Sequence, residues 1–172
     1  MGTCYNKTVM HSVPHGYTFK ELIIAFLLIA IVILFVVAAV GPKRQLMKER
    51  DLVREGGVRD LMEMLLQMRV EDPANFSQIV GTVAAGQTMI GSAYECAGDL
   101  GVTCGDVVLR DTCIDLNEFG AGEYLDELPV DPSPEYLPRQ TGYYLYLENS
   151  TLEVGACNPQ LRNEIILEAH LD

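Results

Sequence analysis

The chain has 172 residues, a length that suits one domain together with a membrane segment. Its net charge of −12 is unevenly distributed, because the residues from Asp51 onward contain 22 acidic and only 6 basic side chains. That part carries −16, and a surface this acidic repels phosphate backbones. The composition therefore argues against nucleic-acid binding by bulk charge.

A long apolar run occupies residues 22–41, without a single charged side chain. As an α-helix this run would extend about 30 Å, the thickness of one hydrocarbon core. The apolar core of a cleaved secretory signal is shorter, about 7–15 residues, although the tripeptide 37–39, Val-Ala-Ala, could be accepted by signal peptidase. The run predicts a membrane-spanning helix, with removal by signal peptidase as the alternative.

A polar motif, G-Y-T-F-K-E at residues 16–21, lies directly before the apolar run. Thr18 and Glu21 have the spacing of a capping box, in which the glutamate starts the helix and complements its dipole. Gly16 has no Cβ, so its backbone can lie flat in a peptidase cleft. The motif is compatible with a simple helix cap and also with a processing site.

With this motif the N-terminus resembles the type IV prepilins and the pseudopilins of type II secretion. Their shared pattern is a short polar leader ending in glycine, then an aromatic residue, threonine, two variable residues, glutamate and a long apolar run. Here the leader is 1–16, the aromatic residue is Tyr17 and the glutamate is Glu21. Tyr17 stands where phenylalanine is usual, Lys20 stands where an apolar residue is common, and the run lacks the family's central proline.

The resemblance implies a structural filament subunit, a pilin or a pseudopilin, and not an enzyme. A prepilin peptidase on the cytoplasmic side would cut after Gly16 and methylate the new amine of Tyr17. The subunit would then leave the bilayer and join copies of itself and related pilins at an inner-membrane assembly platform. Glu21 of a neighbouring subunit would pair with the buried amine and set the axial register.

The resemblance also implies a location and an orientation. The chain would begin as a single-pass protein of the inner membrane with its head outside, and would end in a cell-surface or periplasmic filament. Four basic residues follow the apolar run and two precede it, so the positive-inside rule favours the opposite orientation. The cysteines after the run favour the outside. The alternative function is a membrane-anchored or secreted binding domain that is not a filament subunit.

The expected fold is α+β and pilin-like, with a long N-terminal helix packed against a small antiparallel sheet. Four segments follow: the leader 1–16, a transmembrane and filament-core helix 17–41, an amphipathic continuation 42–72, and a disulfide-bonded head 73–172. Apolar side chains in the continuation recur at helical spacing: Leu46, Val53, Val58, Leu61, Met62, Leu65 and Met68.

We expect one helix from Tyr17 to about Val70, weakened at Gly56-Gly57 and ended by Asp72-Pro73. In the head we expect a short helix at 76–84, a short strand at 107–109 and a β-hairpin formed by 143–147 and 151–154. Residues 164–169 could add a third strand, with a helix as the alternative. A Leu-Pro-x-Asp-Pro stretch at 128–132 further resembles major pseudopilins and related pilins.

Four cysteines follow the apolar run and predict two disulfides in an oxidising compartment: Cys96, Cys104, Cys113 and Cys157. Three pairings are open, and we favour Cys96 with Cys104 and Cys113 with Cys157. No C-x-x-C pair is present, which argues against zinc.

We expect no cofactor and no catalytic residue. In the resembling pseudopilins a calcium ion fixes a loop near the sheet, and this region of the chain is acidic. Neither the EF-hand spacing nor the glycine- and aspartate-rich loop of those pseudopilins is present, so calcium is only a weak alternative. The carboxylates considered for it are Asp111, Asp115, Glu118, Glu123 and Asp126. The sequence also lacks a glycine-rich phosphate loop and a G-x-S-x-G motif.

Overall fold

The computed structural model of the chain describes residues 17–84, 86–92, 104–105 and 107–171, with the side chains of residues 39 and 40 excepted. The chain divides into two compact units, Met1–Pro42 and Lys43–Asp172. The expected leader, with Gly16, lies outside the described residues, and so does Cys96.

The first element, α1, is a helix of 53 residues, Phe19–Glu71. It confirms the expected single helix to within two residues at each end. Helical structure continues through Pro42 and through Gly56-Gly57. The expected weak point at the two glycines is therefore not a break in the helix.

A second helix, α2, spans Pro73–Val83 and confirms the short helix expected in this region. Asp72 caps it, because the Asp72 side chain accepts hydrogen bonds from the backbone N of Asn75 at 3.2 Å and from Asn75 Nδ2 at 2.7 Å. Pro73 occupies the first helical turn, where its missing N–H costs nothing. The Asp-Pro pair thus ends α1 and starts α2.

Four antiparallel strands form one sheet in the order β1-β2-β3-β4. Their bounds are Thr88–Met89, Tyr143–Glu148, Thr151–Ala156 and Ile166–His170. The expected hairpin is β2 and β3, and the expected third strand is β4. Asn149 and Ser150 join the hairpin with φ angles of 49° and 62°, as a tight two-residue turn with the twist of the strands requires.

The expected strand at 107–109 is wrong. Val107 forms only an isolated bridge with Cys104, and the residues after it are irregular. The sheet's short first strand comes instead from β1, whose two residues are too few for an alternating pattern to reveal. Two short 3₁₀ helices, Leu116–Phe119 and Ala121–Glu123, follow in the same region.

The main core of the second unit lies between α1, α2 and the sheet. Helix α1 contributes Val58, Leu61, Leu65 and Met68, and these positions confirm the expected apolar stripe. Side chains from the other elements complete this core: Ile79, Val83, Tyr143, Leu145, Leu152 and Val154. Leu46 and Val53 were expected on the same stripe but are 55% and 53% exposed. An α+β arrangement is thus confirmed.

Candidate assembly and anchoring site

The start of α1 is organised by a complete capping box. The backbone N–H of Thr18 donates to Glu21 Oε2 at 2.7 Å, and the Thr18 hydroxyl donates to the same oxygen at 2.9 Å. In return the backbone N–H of Glu21 donates to Thr18 Oγ1 at 3.4 Å. These bonds satisfy amides that a helix start leaves unpaired, so the capping role expected for Thr18 and Glu21 is confirmed.

The apolar part of α1 has exposed side chains along its described length. Tyr17 is 90% exposed, and the large apolar side chains from Leu22 to Val37 are all exposed. This helix is long and apolar enough to cross a membrane, by its length and composition. A continuous apolar surface of this size needs a bilayer or other apolar helices around it. A single-pass anchor near the N-terminus is consistent with these features.

A buried ionic cluster ties the second unit together around Arg54, whose side chain is fully buried. Arg54 Nε donates to Asp131 Oδ2 at 2.6 Å, and Arg54 Nη2 donates to Asp131 Oδ1 at 2.9 Å. Nη2 also donates to Ser133 Oγ at 2.8 Å. The forked pair matches guanidinium to carboxylate geometry, which a lysine could not do.

Asp51 extends this cluster to the loop after β3. Its Oδ1 accepts from Arg54 Nη1 at 2.7 Å and from the backbone N of Gln160 at 2.9 Å, and its Oδ2 accepts from the backbone N of Leu161 at 2.7 Å. Burial raises the pKa of Asp51, but the two amides and the Arg54 guanidinium outweigh burial and leave the pKa lowered. One carboxylate thus anchors the loop to α1.

Arg54 and Asp131 were not identified from the sequence as site residues. Two signals were available. Arg54 falls four residues before Val58 and so lies on the apolar stripe of α1, where a charge needs a buried partner. Asp131 is the aspartate of the Leu-Pro-x-Asp-Pro stretch. Pairing the two across 77 residues requires the fold itself.

The expected disulfide pairing is wrong. Cys104 is bonded to Cys157, which ties the loop before the 3₁₀ helices to the end of β3. Cys113 is also disulfide-bonded. Choosing the nearest cysteine in sequence as the partner of Cys104 gave the wrong pair. Cys104 and Cys157 are 53 residues apart in sequence, and the fold brings them together.

The acidic residues considered for calcium are not gathered into a site. Within the described ranges no group of three or more histidine, cysteine, aspartate or glutamate side chains could hold a metal ion. Asp115 instead caps the first 3₁₀ helix by accepting from the backbone N of Asn117 at 3.0 Å. Asp111, Glu118, Glu123 and Asp126 are exposed.

No protein-family model, curated protein or solved structure matches this chain. Its class is defined by its own features, an α+β unit that follows a candidate membrane-spanning helix.

Proposed function

We propose that the chain is the structural subunit of a type IV pilus-like or type II secretion filament. A prepilin peptidase removes residues 1–16 and methylates the amine of Tyr17, and the subunit assembles through its N-terminal helix. The observation that carries the proposal is the position of the capping box, directly between the proposed cleavage point and an uncovered apolar helix.

The proposed assembly follows from the needs of that helix. In the bilayer, lipid covers the apolar side chains, whereas in a filament the same side chains pack against those of neighbouring copies. The amine of Tyr17 would be a buried cation in such a bundle and needs an anionic partner. Glu21 lies about one helical turn further along, so a neighbour displaced by about one turn brings its Glu21 beside that amine.

The Thr18 bonds to Glu21 do not conflict with this role. They hold the carboxylate at the helix start before assembly, and the amine of another copy can approach the same carboxylate afterward. The folded unit of residues 43–171 would then form the outer part of the filament. Its disulfide suits a compartment without cytosolic reductants.

The mass of the N-terminal peptide, measured on protein isolated from its native envelope, tests the proposal. A chain that begins at N-methyl-Tyr17 is expected. A chain beginning at Met1 would indicate an anchored protein without processing, and one beginning at Val40 would indicate a secreted domain. A Gly16→Leu variant provides the matched comparison, because it should insert in the membrane like the wild type but keep its leader.

A further inference from the structure

Most side chains in the first turns of α1 in the second unit are exposed, whereas Asp51 among them is buried in the ionic cluster. We call residues 43–53 the proximal segment. Leu46, Met47, Leu52 and Val53 are between 38% and 55% exposed, and the basic side chains of Lys43, Arg44 and Lys48 are exposed among them. Apolar and basic groups thus share one uncovered length of helix, which indicates a surface that another molecule covers.

The C-terminal end of α1 carries the complementary groups. The distal patch consists of Val70, Glu71, Asp72 and Glu123. Val70 is 80% exposed, and Glu71 and Glu123 are also exposed. Asn75 Nδ2 donates to Asp72 and lies 3.9 Å from the place of a Cβ on Gly120, so the short 3₁₀ helix that ends at Glu123 starts near Asp72. Partial burial and the carboxylates of Glu71, Asp72 and Glu123 raise the pKa of Tyr124. Arg69 in the same turn has an interaction of its own.

We propose that the proximal segment of one copy docks on the distal patch of a second copy. Lys43, Arg44 and Lys48 would meet the carboxylates, while Leu46 and Leu52 would cover Val70. Lys48 and Glu71 are separated by 23 residues of one helix, about 35 Å, so the two surfaces cannot meet within one chain. This inference rests on the proposed filament function.

The geometry of such a contact suits a filament. Because the two surfaces differ and lie far apart along α1, the contact is heterologous, and its repetition produces an open array. Anionic lipid is the competing occupant of the basic side chains. A second copy offers carboxylates together with the exposed apolar side chain of Val70, which match the basic and the apolar groups of the proximal segment.

Charge reversal in the full-length chain tests the contact. The proximal variant is Lys43→Glu with Arg44→Glu, and the distal variant is Glu71→Lys with Glu123→Lys. Asp72 is left unchanged because it caps α2. Each variant is the only copy in its strain, and filaments per cell are counted by electron microscopy. We expect either variant to reduce that number about tenfold, and the combined variant to recover most of it.

A matched control separates docking from net charge. Glu135→Lys with Glu148→Lys changes the charge as much as the distal variant does, at exposed positions outside the patch, and should leave filament number unchanged. Wild-type filament numbers in both docking variants, or no recovery in the combined variant, would overturn the contact while leaving the filament function intact. If only the proximal variant lowered the number of filaments, the basic residues would bind lipid and not a second copy. Absence of filaments in the wild type would overturn the proposed function and this inference together.

Discussion

Gly57 lies against Tyr143, so closely that a Cβ on Gly57 would fall 2.5 Å from the Tyr143 hydroxyl oxygen and 2.8 Å from Cζ. The ring of Tyr143, at the start of β2, is fully buried against α1 at this point. The neighbouring Gly56 faces open space, with nothing within 4 Å of the same hypothetical atom. One glycine of the pair is therefore required by packing, and the other is not.

Substituting the two glycines separately should change stability in opposite directions. Gly57→Ala should lower the free energy of unfolding by about 1–3 kcal/mol, because the buried ring of Tyr143 must move. Gly56→Ala should raise it by up to about 1 kcal/mol, because alanine favours a helix. Denaturant unfolding of the full chain in detergent measures both, and equal effects would contradict the packing role of Gly57.

A substitution at Tyr143 distinguishes the effect of its hydroxyl group on stability from the effect of its ring. The Tyr143 hydroxyl is buried without a hydrogen-bond partner in the described part of the chain. Its removal therefore sacrifices no bond, and Tyr143→Phe should be nearly neutral by itself. In the Gly57→Ala background the same change should recover part of the lost stability, because it removes the atom nearest the new methyl group.

The buried pair of Arg54 and Asp131 should contribute far more to stability than the exposed pair of Arg162 and Glu55. Arg54→Met leaves two carboxylates without their cation and should cost about 3–5 kcal/mol. Arg162→Met removes a 3.3 Å pair whose arginine is 56% exposed, and should cost less than about 1 kcal/mol. Unfolding curves of the two variants under identical conditions make the comparison. If both variants lost a similar free energy of unfolding, burial would not explain the contribution of the Arg54 pair.

Asp51 should make the second unit sensitive to acid. Its folded-state pKa is lowered, so its contribution is fully present above the unfolded-state pKa of about 3.9 and is lost as pH falls through the folded value. The difference in unfolding free energy between wild type and Asp51→Asn should be largest at neutral pH and should shrink below about pH 4. A difference that is constant across this range would show that the Asp51 charge is not responsible.

The disulfide between Cys104 and Cys157 closes a sequence separation of 53 residues. Replacing both cysteines with alanine should destabilise the chain by about 4 kcal/mol according to the chain-entropy model. Mass spectrometry of peptides prepared without reductant tests the pairing directly. A peptide joining Cys96 to Cys104 would contradict the structure and restore the pairing expected from loop length.

Local signals in the sequence were sufficient for the long helix, the hairpin and the cap. The spacing of Val58, Leu61, Leu65 and Met68 predicts which face of α1 is buried, and T-x-x-E predicts the bonds between Thr18 and Glu21. These features depend on residues a few positions apart, where helical and strand periodicity apply directly.

Long-range relationships were not predictable in the same way. Arg54 meets Asp131, and Cys104 meets Cys157, only because the sheet packs on α1 and its loops return to particular places. Thr88 and Met89 form a strand because β2 lies beside them, and two residues provide no periodic signal of their own. From the sequence, Gly57 was interpreted only as a residue that weakens the helix. The reason for a glycine at this position is the ring of Tyr143, which is distant in sequence.

Glu21→Val provides the sharpest test of assembly through the N-terminal helix. If Glu21 sets the register, this variant should be processed and inserted normally but should form few or no filaments when it is the only pilin in the strain. Thr18→Val is the matched control, because it removes the hydroxyl bonds of the cap while keeping the Glu21 charge. It should assemble, with a helix start weakened by about 1 kcal/mol. Normal filaments from Glu21→Val, or an equal defect in both variants, would leave Glu21 with the capping role alone.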